Sequence, residues 1–261
     1  MRIAFIPIIA SLLGTTGLDA GTTAMPAEIP APVESGWGFR IAPYGWLTAI
    51  DGDLTVGPLN APVDISLSDT LDKLDTAFMI VAEASKGPWS LTTDFVYADF
   101  SNRIPRDGLI GGRVLRAVEF EYTQWVLTQT LGYRVFETGD HRMDVFAGAR
   151  FTSFDSTLTG RFLLGRNLQS SVDDTWGDPI IGLRGQSELG RGFFCRYNAD
   201  IGGFGVSSDL IWQAFVGLGY HLTPNASVAF GYRGMGTDYS EGPFTLDVIH
   251  HGPVVGFEFR F

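Results

Sequence analysis

The strongest constraint on this sequence is an alternation of apolar and polar residues with a period of two, which recurs about ten times along the chain. In the last segment, Phe257, Phe259 and Phe261 occupy one phase, whereas Glu258 and Arg260 occupy the other. Successive side chains of a β-strand point to opposite faces, so this pattern predicts strands with one apolar and one polar face. The chain is therefore expected to be all-β.

The alternation delimits ten candidate strands, each of about the 9–11 residues that cross a bilayer at a tilt, or longer. Within one of them the apolar phase changes side, which predicts a β-bulge near Thr123. The candidate strands are residues 37–50, 78–86, 89–100, 117–136, 143–154, 178–189, 193–206, 210–222, 227–239 and 246–261.

Two architectures fit such strands: a soluble sandwich, which buries the apolar faces, and a membrane barrel, which turns them to lipid. Short connections alternate with longer ones, as in barrels that have tight periplasmic turns and larger outer loops. Trp37, Trp89, Trp176 and Trp212 lie near strand ends, where an aromatic girdle meets the headgroups. We therefore expect an antiparallel up-and-down transmembrane β-barrel of ten strands, with eight as the alternative. The longer links are residues 51–77, 101–116, 155–177 and 236–244.

The N-terminus has the features of an export signal. Arg2 supplies a positive charge, residues 3–14 form an apolar run, and Ala20 and Ala24 are candidate cleavage positions. The run is too short to cross a bilayer as a helix, which needs ~20 apolar residues. The predicted organisation is a cleaved signal peptide over 1–24, a Pro-bearing tether over 25–36 and an outer-membrane barrel over 37–261.

Composition excludes several functional classes. The net charge of −11 argues against a nucleic-acid partner, because binding phosphates requires a basic surface. A single cysteine, Cys195, forms neither an intrachain disulfide nor a Cys-rich metal site. His250 and His251 are adjacent on a predicted strand and point to opposite faces, so they do not share a metal ion. We expect no metal and no cofactor.

Residues 256–261 resemble the C-terminal assembly signal of bacterial outer-membrane barrels, through Gly256, Phe257, Phe259 and Phe261. Most of the remaining chain resembles a widespread family of small, mostly uncharacterised outer-membrane β-barrel proteins. This resemblance implies an outer-membrane location, contact with outer-membrane lipids and recognition of the last strand by the barrel-assembly machinery, but no particular activity. The stretches that carry it are residues 42–46, 67–75, 178–185, 200–209 and 231–233.

The polar phase of the predicted strands contains equal numbers of carboxylates and arginines. An unpaired charge in a narrow lumen is costly, and the guanidinium group is suited to paired carboxylate contacts. The sequence therefore predicts a narrow, ion-paired lumen and a structural or interaction role, with a narrow channel for small solutes or hydrophobic ligands as the alternative. The predicted lumenal residues are Arg40, Glu83, Asp94, Asp144, Arg150, Arg184, Glu188, Arg196, Asp200, Arg233, Glu258 and Arg260.

A third alternative is an enzyme at the barrel rim that hydrolyses lipid or peptide. Acids and a histidine fall near the predicted outer rim, as they do in ten-stranded outer-membrane proteases, but no matching motif accompanies them. Ser240 with His251 has only chance spacing, so we expect no catalytic residues. The rim candidates are Asp209, Asp238, Asp247 and His250.

The first long link contains a helical pattern. Leu67, Leu71 and Leu74 recur at helical spacing, and Ser68 is a candidate N-cap. We predict a short helix over residues 68–75 that packs on the barrel rim or covers its mouth.

Overall fold

A computed structural model describes residues 36–57, 59–110, 113–162 and 168–261. The predicted signal peptide and residues 25–35 of the predicted tether lie outside the described residues. Within the described ranges, no helix has the length and apolar character needed to cross a membrane.

The described chain is almost entirely β-strand, with one short helix. The elements, in chain order, are β1 (Gly38–Trp46), β2 (Ala49–Val56), β3 (Leu59–Ile65), α1 (Leu67–Lys73), β4 (Leu74–Lys86), β5 (Trp89–Ile110), β6 (Arg113–Glu137), β7 (His141–Phe162), β8 (Leu168–Gly190), β9 (Phe193–Gly203), β10 (Leu210–Thr223), β11 (Ala226–Glu241) and β12 (Phe244–Arg260).

Ten antiparallel strands close into a barrel, as predicted, so the eight-stranded alternative is excluded. The order is β1, then β4 to β12, and β1 closes the ring by pairing with both β4 and β12. Arg40 is the register partner of Glu83 on one side and of Arg260 on the other. Closure leaves no free edge among these paired segments, which is the condition for a sheet that faces lipid.

The first strand of the wall is longer than the sequence predicts. β1 and β2 pair with the same strand, β12, in one continuous register, from Arg40 opposite Arg260 to Val56 opposite Phe244. β3 then folds back on β2 as a hairpin. The predicted outer link 51–77 is therefore mainly a strand extension, a hairpin and a helix.

The other long links are also mostly strand. β5 to β8 each contain 22–25 residues and continue pairing beyond the predicted strand ends. The predicted bulge near Thr123 is wrong, because the β5–β6 register runs unbroken from Trp89 opposite Tyr133 to Pro105 opposite Ala117. Strand pairing does not require alternation, and the apolar signal fades where both faces meet polar surroundings.

The apolar faces of the barrel point outward. On β10, Val216 is 57% exposed, whereas Gln213, in the opposite phase, is buried. On β1, Phe39 and Ile41 are exposed, and the intervening Arg40 side chain faces the interior. This arrangement is the reverse of a soluble sandwich and is the arrangement of a barrel surrounded by lipid.

The two ends of the barrel differ. The tight turns at residues 87–88, 138–140, 191–192 and 224–225 lie at one end, together with both ends of the described chain, where Phe39 and Phe261 exchange backbone hydrogen bonds. We call this the turn end, and the opposite end the loop end.

The helix lies at the loop end and begins earlier than predicted. It spans Leu67–Lys73, and its N-cap is Ser66 instead of Ser68. Ser66 and Asp69 form a capping box, in which each side chain hydrogen-bonds to the other residue's backbone N–H. The buried Thr70 hydroxyl donates to the Thr48 carbonyl, which fastens the helix to the junction of β1 and β2.

Candidate functional site: the barrel lumen

The lumen is divided into an apolar half and a charged half. The apolar half lies at the loop end and is built from inward side chains of β2, β3, β5, β7, β8, β11 and β12. We call these residues the apolar cluster: Ile50, Leu54, Val56, Val63, Ile65, Phe100, Phe154, Trp176, Tyr239, Phe244, Leu246 and Val248.

Aromatic contacts span the lumen within the apolar cluster. Phe154 on β7 stacks on Phe244 on β12, with ring centroids 5.7 Å apart. Trp176 also contacts Phe244, and its side chain is only 6% exposed. The prediction that Trp176 belongs to a lipid-facing girdle is therefore wrong, because a position near a strand end does not decide whether a side chain faces the lumen or the outer surface. Trp37 and Trp89, in contrast, are exposed on the outer surface.

A buried ion-pair layer lies at mid-barrel. Arg150 Nη2 donates to both carboxylate oxygens of Asp200, at 2.9 and 3.0 Å, and these side chains are 3% and 1% exposed. Arg233 contacts Asp94 at 3.0 Å, and the Tyr44 hydroxyl accepts from Arg233 and donates to Asp94, at 2.7 Å each. Each carboxylate has an arginine as its counter-charge, and Arg150 also donates to the Thr128 hydroxyl. Such partners offset the cost of burying an ion pair.

A second group of ion pairs lies nearer the turn end, around one carboxylate. Glu258 accepts from Arg40 at 3.1 Å, from Arg196 at 2.5 Å and from Arg260 at 2.7 Å. Arg40 also donates to Glu83 at 2.9 Å. Strands β1, β4, β9 and β12 are therefore connected through their inward side chains. The contact between β9 and β12, which are not neighbours in the barrel wall, crosses the lumen.

A further carboxylate lies between two arginines at longer distances. Asp144 is 3.5 Å from Arg134 and 3.7 Å from Arg184. Arg184 also donates to the hydroxyls of Ser90 and Thr130, at 2.9 and 3.3 Å.

His221 closes the polar network near the turn end. Its Nε2 lies 3.1 Å from Glu188, and its Nδ1 shares a 2.9 Å hydrogen bond with the Ser227 hydroxyl. These residue types also occur in hydrolase triads. Here, however, Ser227 is 3% exposed and is the direct register partner of His221 in the β10–β11 hairpin. The contacts therefore join strands, and the hydroxyl is buried from substrate.

All twelve predicted lumenal residues lie on inward faces of their strands. Eleven take part in the ion pairs above, and Glu188 pairs with His221 instead of an arginine. Sequence reasoning missed Arg134 and Arg142, which share the inward phase but adjoin a turn, and the uncharged partners Tyr44 and Gln213. It also missed Asp178, which accepts hydrogen bonds from Ser207 and Ser208 and orders the β9–β10 loop.

The rim candidates do not form one site. Asp238 and Asp247 are register partners on the outer face of β11 and β12. Burial and the nearby carboxylates of Asp247 and Asp209 raise the pKa of Asp238. His250 instead lies inside the barrel, buried beside Trp46.

His251 lies on the outer face, between two partners. Its Nε2 is 2.8 Å from Asp51, and its Nδ1 is 2.6 Å from the Tyr232 hydroxyl. Ser240, whose spacing from His251 in the sequence has no more than chance support for catalysis, is opposite Thr245, whereas His251 is opposite Gly234. The two therefore lie six register positions apart along the same strand pair, too far for proton transfer.

The charged half contains a partly open cavity of about 200 Å³. This is smaller than the roughly 300–1,000 Å³ of pockets that hold drug-sized ligands. It has room for water or a small ion. Among the described residues, no cluster of three or more His, Cys, Asp or Glu side chains is placed to hold a metal ion.

Comparison with solved structures identifies similar barrels. The outer-membrane protease OmpT of Escherichia coli matches with a TM-score of 0.53 and 11% identity, over 87% of this chain and 98% of OmpT. The translocator domain of the autotransporter NalP of Neisseria meningitidis matches with a TM-score of 0.45 and 12% identity, over 87% of this chain and 90% of that domain. Neisserial surface protein A matches with a TM-score of 0.38 and 13% identity, over 87% and 99%.

No protein-family model matches the chain, and no curated protein matches it in sequence. The likeness to OmpT supports one conclusion, which concerns the fold. The chain is a closed ten-stranded antiparallel barrel of the architecture found in that outer-membrane protein.

Proposed function

We propose that the protein is an integral barrel of a Gram-negative-type outer membrane, with a closed lumen and a structural or interaction role that is not catalytic. The observation that carries this proposal is the apolar cluster, whose side chains meet across the lumen at the loop end. A continuous aqueous path would have to cross this apolar layer, and ion pairs occupy the lumen below it.

The outer surface supports the membrane location. An apolar band of outward side chains lies between Trp37 and Trp89 at the turn end and a set of outward aspartates at the loop end. An Arg or Lys placed on such a surface at the bilayer midplane destabilises the folded barrel by about 2–4 kcal/mol. This cost explains why the charged side chains of the outer surface lie at the borders of the apolar band. The aspartates at the border are Asp51, Asp99, Asp209, Asp238 and Asp247.

The orientation follows from the same features. We place the turn end at the periplasm, because the tight turns and both ends of the described part of the chain lie there, and the loop end outside the cell. In this orientation the strand extensions of β5 to β8 project beyond the membrane and are the surface available to partners. Residues 256–261 would face the assembly machinery from the periplasmic side.

Single-channel recording in planar lipid bilayers tests the closed lumen. The purified full-length protein, folded in detergent, should give no steady conductance steps, and a porin reconstituted in parallel serves as the positive control. Stable single-channel steps would overturn the closed lumen and favour the narrow channel. Recovery of the processed chain in the soluble fraction after lysis without detergent would overturn the membrane location itself.

A further inference from the structure

Two polar side chains interrupt the apolar band of the outer surface, on the neighbouring strands β5 and β6. The Thr93 hydroxyl donates to Oε1 of Gln129 at 2.7 Å, and the two residues are register partners. Both point outward, because the adjacent Thr92 and Thr128 are buried and bind lumenal side chains. The amide of Gln129 therefore faces lipid instead of the ion pairs of the lumen.

The pair lies near the middle of the apolar band. On β6 the band runs from Tyr133, which contacts Trp89 at the turn end, to Thr123, which donates to Asp99 at the loop-end border. The outward positions of this stretch are Tyr133, Leu131, Gln129, Leu127, Trp125 and Thr123, so Gln129 is the third of six. Acyl chains at this depth supply neither water nor headgroup oxygens to an amide.

The amide nitrogen of Gln129 lacks an acceptor in this position. Oε1 accepts from Thr93, whereas Nε2 donates no hydrogen bond among the described residues. A carbonyl oxygen has two lone pairs, so Oε1 can accept one further hydrogen bond. Unpaired amide N–H groups in hydrocarbon raise the free energy of the folded barrel. The side chain thus offers both a donor and an acceptor to a partner within the membrane.

The side chains beside this pair are small. Ala149 is the register partner of Gln129 on β7, and Pro179 follows on β8. On the other side, Ala82 is the register partner of Thr93 on β4. Association within lipid depends on close packing and hydrogen bonds, and small side chains allow a second surface to approach the amide. Larger outward side chains flank this row on both sides, and those that are 41–54% exposed are Leu91, Leu131, Phe151 and Ile181.

We propose that this surface binds a second copy of the chain, with the two Gln129 amides hydrogen-bonded to each other across a two-fold axis. Nε2 of each amide then donates to Oε1 of the other, and each Oε1 keeps its bond from Thr93. A two-fold interface brings identical surfaces together, so one donor and one acceptor per copy satisfy each other. The dimer requires the membrane location proposed above, but it is compatible with a closed or an open lumen.

Thiol cross-linking in membranes isolated from cells that express the full-length chain tests the dimer. Cys195→Ser removes the single native cysteine, and Ala149→Cys then places a thiol beside Gln129. A short bis-maleimide should give a product of two chains. Val216→Cys is the matched control and should give little of it, because Val216 is also exposed but lies on β10, on the opposite side of the ring.

A second variant tests the amide itself. Gln129→Leu, added to the Ala149→Cys chain, should weaken dimerisation about tenfold, because two hydrogen bonds within the membrane are lost. Cross-linking that is undiminished by Gln129→Leu would overturn the proposal. Equal cross-linking at positions 149 and 216 would overturn it as well, because it would reflect random collision. A product with a different protein instead of a second copy would also contradict the dimer.

Gel migration of unboiled samples checks that each variant is folded in the membrane fraction. Ala82→Cys, beside Thr93, replaces Ala149→Cys if that chain fails to assemble, and the same products are expected from it. A folded barrel in the membrane without cross-linked pairs would refute the dimer alone. A chain recovered in the soluble fraction would refute the membrane location, and the dimer with it.

Discussion

The indole ring of Trp176 on β8 lies face to face with the phenol ring of Tyr239 on β11, with ring centroids 3.9 Å apart and ring planes within 5°. Two strands, β9 and β10, separate β8 from β11 in the barrel wall. Their hairpin ends at residues 203–210, so β8 and β11 approach each other above it. The Tyr239 hydroxyl also donates to Asp174 on β8 at 2.7 Å, which fixes the stack at its polar edge.

Trp176→Ala should destabilise the loop end of the barrel. The substitution removes the stack on Tyr239 and the contact with Phe244, and truncation of a buried aromatic side chain costs ~3–5 kcal/mol. The measurement is the temperature at which the unboiled form converts to the unfolded form on a gel. Trp37→Ala, which truncates an exposed indole on the outer surface, should lower that temperature less. Equal shifts would show that the apolar cluster adds no particular stability.

Asp200→Asn should be among the most destabilising conservative changes in the lumen. It leaves the buried Arg150 guanidinium without its counter-charge, which costs ~3–5 kcal/mol. Glu137→Gln breaks an exposed pair with Arg134 and should cost only ~0–1 kcal/mol. Denaturant unfolding in detergent compares the two variants. The double variant Arg150→Met/Asp200→Leu should recover much of the loss; a double variant as unstable as Asp200→Asn would contradict the charge-burial explanation.

Charge should be tolerated on one face of the wall and not on the other. Val216 and Asn198 lie on neighbouring strands at nearly the same level, where Val216 is opposite Tyr197 and Asn198 is opposite Phe215. Val216→Asp places a carboxylate on the lipid-facing surface and should lower the yield of assembled barrel. Asn198→Asp places it in the cavity beside arginines and should be tolerated. Similar yields of folded protein in the membrane fraction would contradict the assigned orientation of the two faces.

Phe261→Ala should slow assembly without greatly changing the stability of the folded barrel. Phe257, Phe259 and Phe261 are exposed on the outer face at the turn end, where the resemblance to an assembly signal places its aromatic residues. Phe230→Ala is the matched control, because Phe230 is also exposed on the outer face but lies in β11. Pulse-chase measurement of the folded fraction compares them. Identical assembly rates of both variants would remove the special role of the last strand.

The pH dependence of stability should include a contribution from Asp238 at the loop-end border. Because burial and the carboxylates of Asp247 and Asp209 raise its pKa, the folded state holds this proton more tightly than the unfolded chain does. The folded state is therefore favoured at acid pH and loses that advantage as the pH rises through the raised pKa. Asp238→Asn should stabilise the barrel at neutral pH, but not at pH values below the ordinary aspartate range.

Thermal unfolding at several pH values checks this expectation. Asp238→Glu keeps the negative charge and should keep the pH dependence of the wild type. A neutral variant that is no more stable than wild type at pH 7 would show that repulsion at this border is already relieved by solvent.

Several features of the fold could be predicted from the sequence because they are local. Alternation along a strand records the contrast between its two environments, so it located Arg40, Asp200 and Glu258 inside and Phe257 and Phe259 outside. It failed where that contrast is weak. The sequence pattern predicts loops at the extensions of β5 to β8 and at the β2–β3 hairpin, because beyond the bilayer a strand needs hydrogen-bond partners but no apolar face.

The contacts across the lumen could not be predicted from the sequence. The inward phase names Arg40, Glu83 and Glu258 as lumenal, but it does not say that Arg40 contacts both carboxylates, which lie 43 and 218 positions away. Nor does it show that Trp176 faces Tyr239 instead of lipid. Which residues form a strand, and whether each side chain points inward or outward, depend on neighbouring residues along the chain. The pairing of distant side chains, and with it the division of the lumen into apolar and charged halves, arises only when the sheet closes and its tilt brings particular levels of opposite walls together.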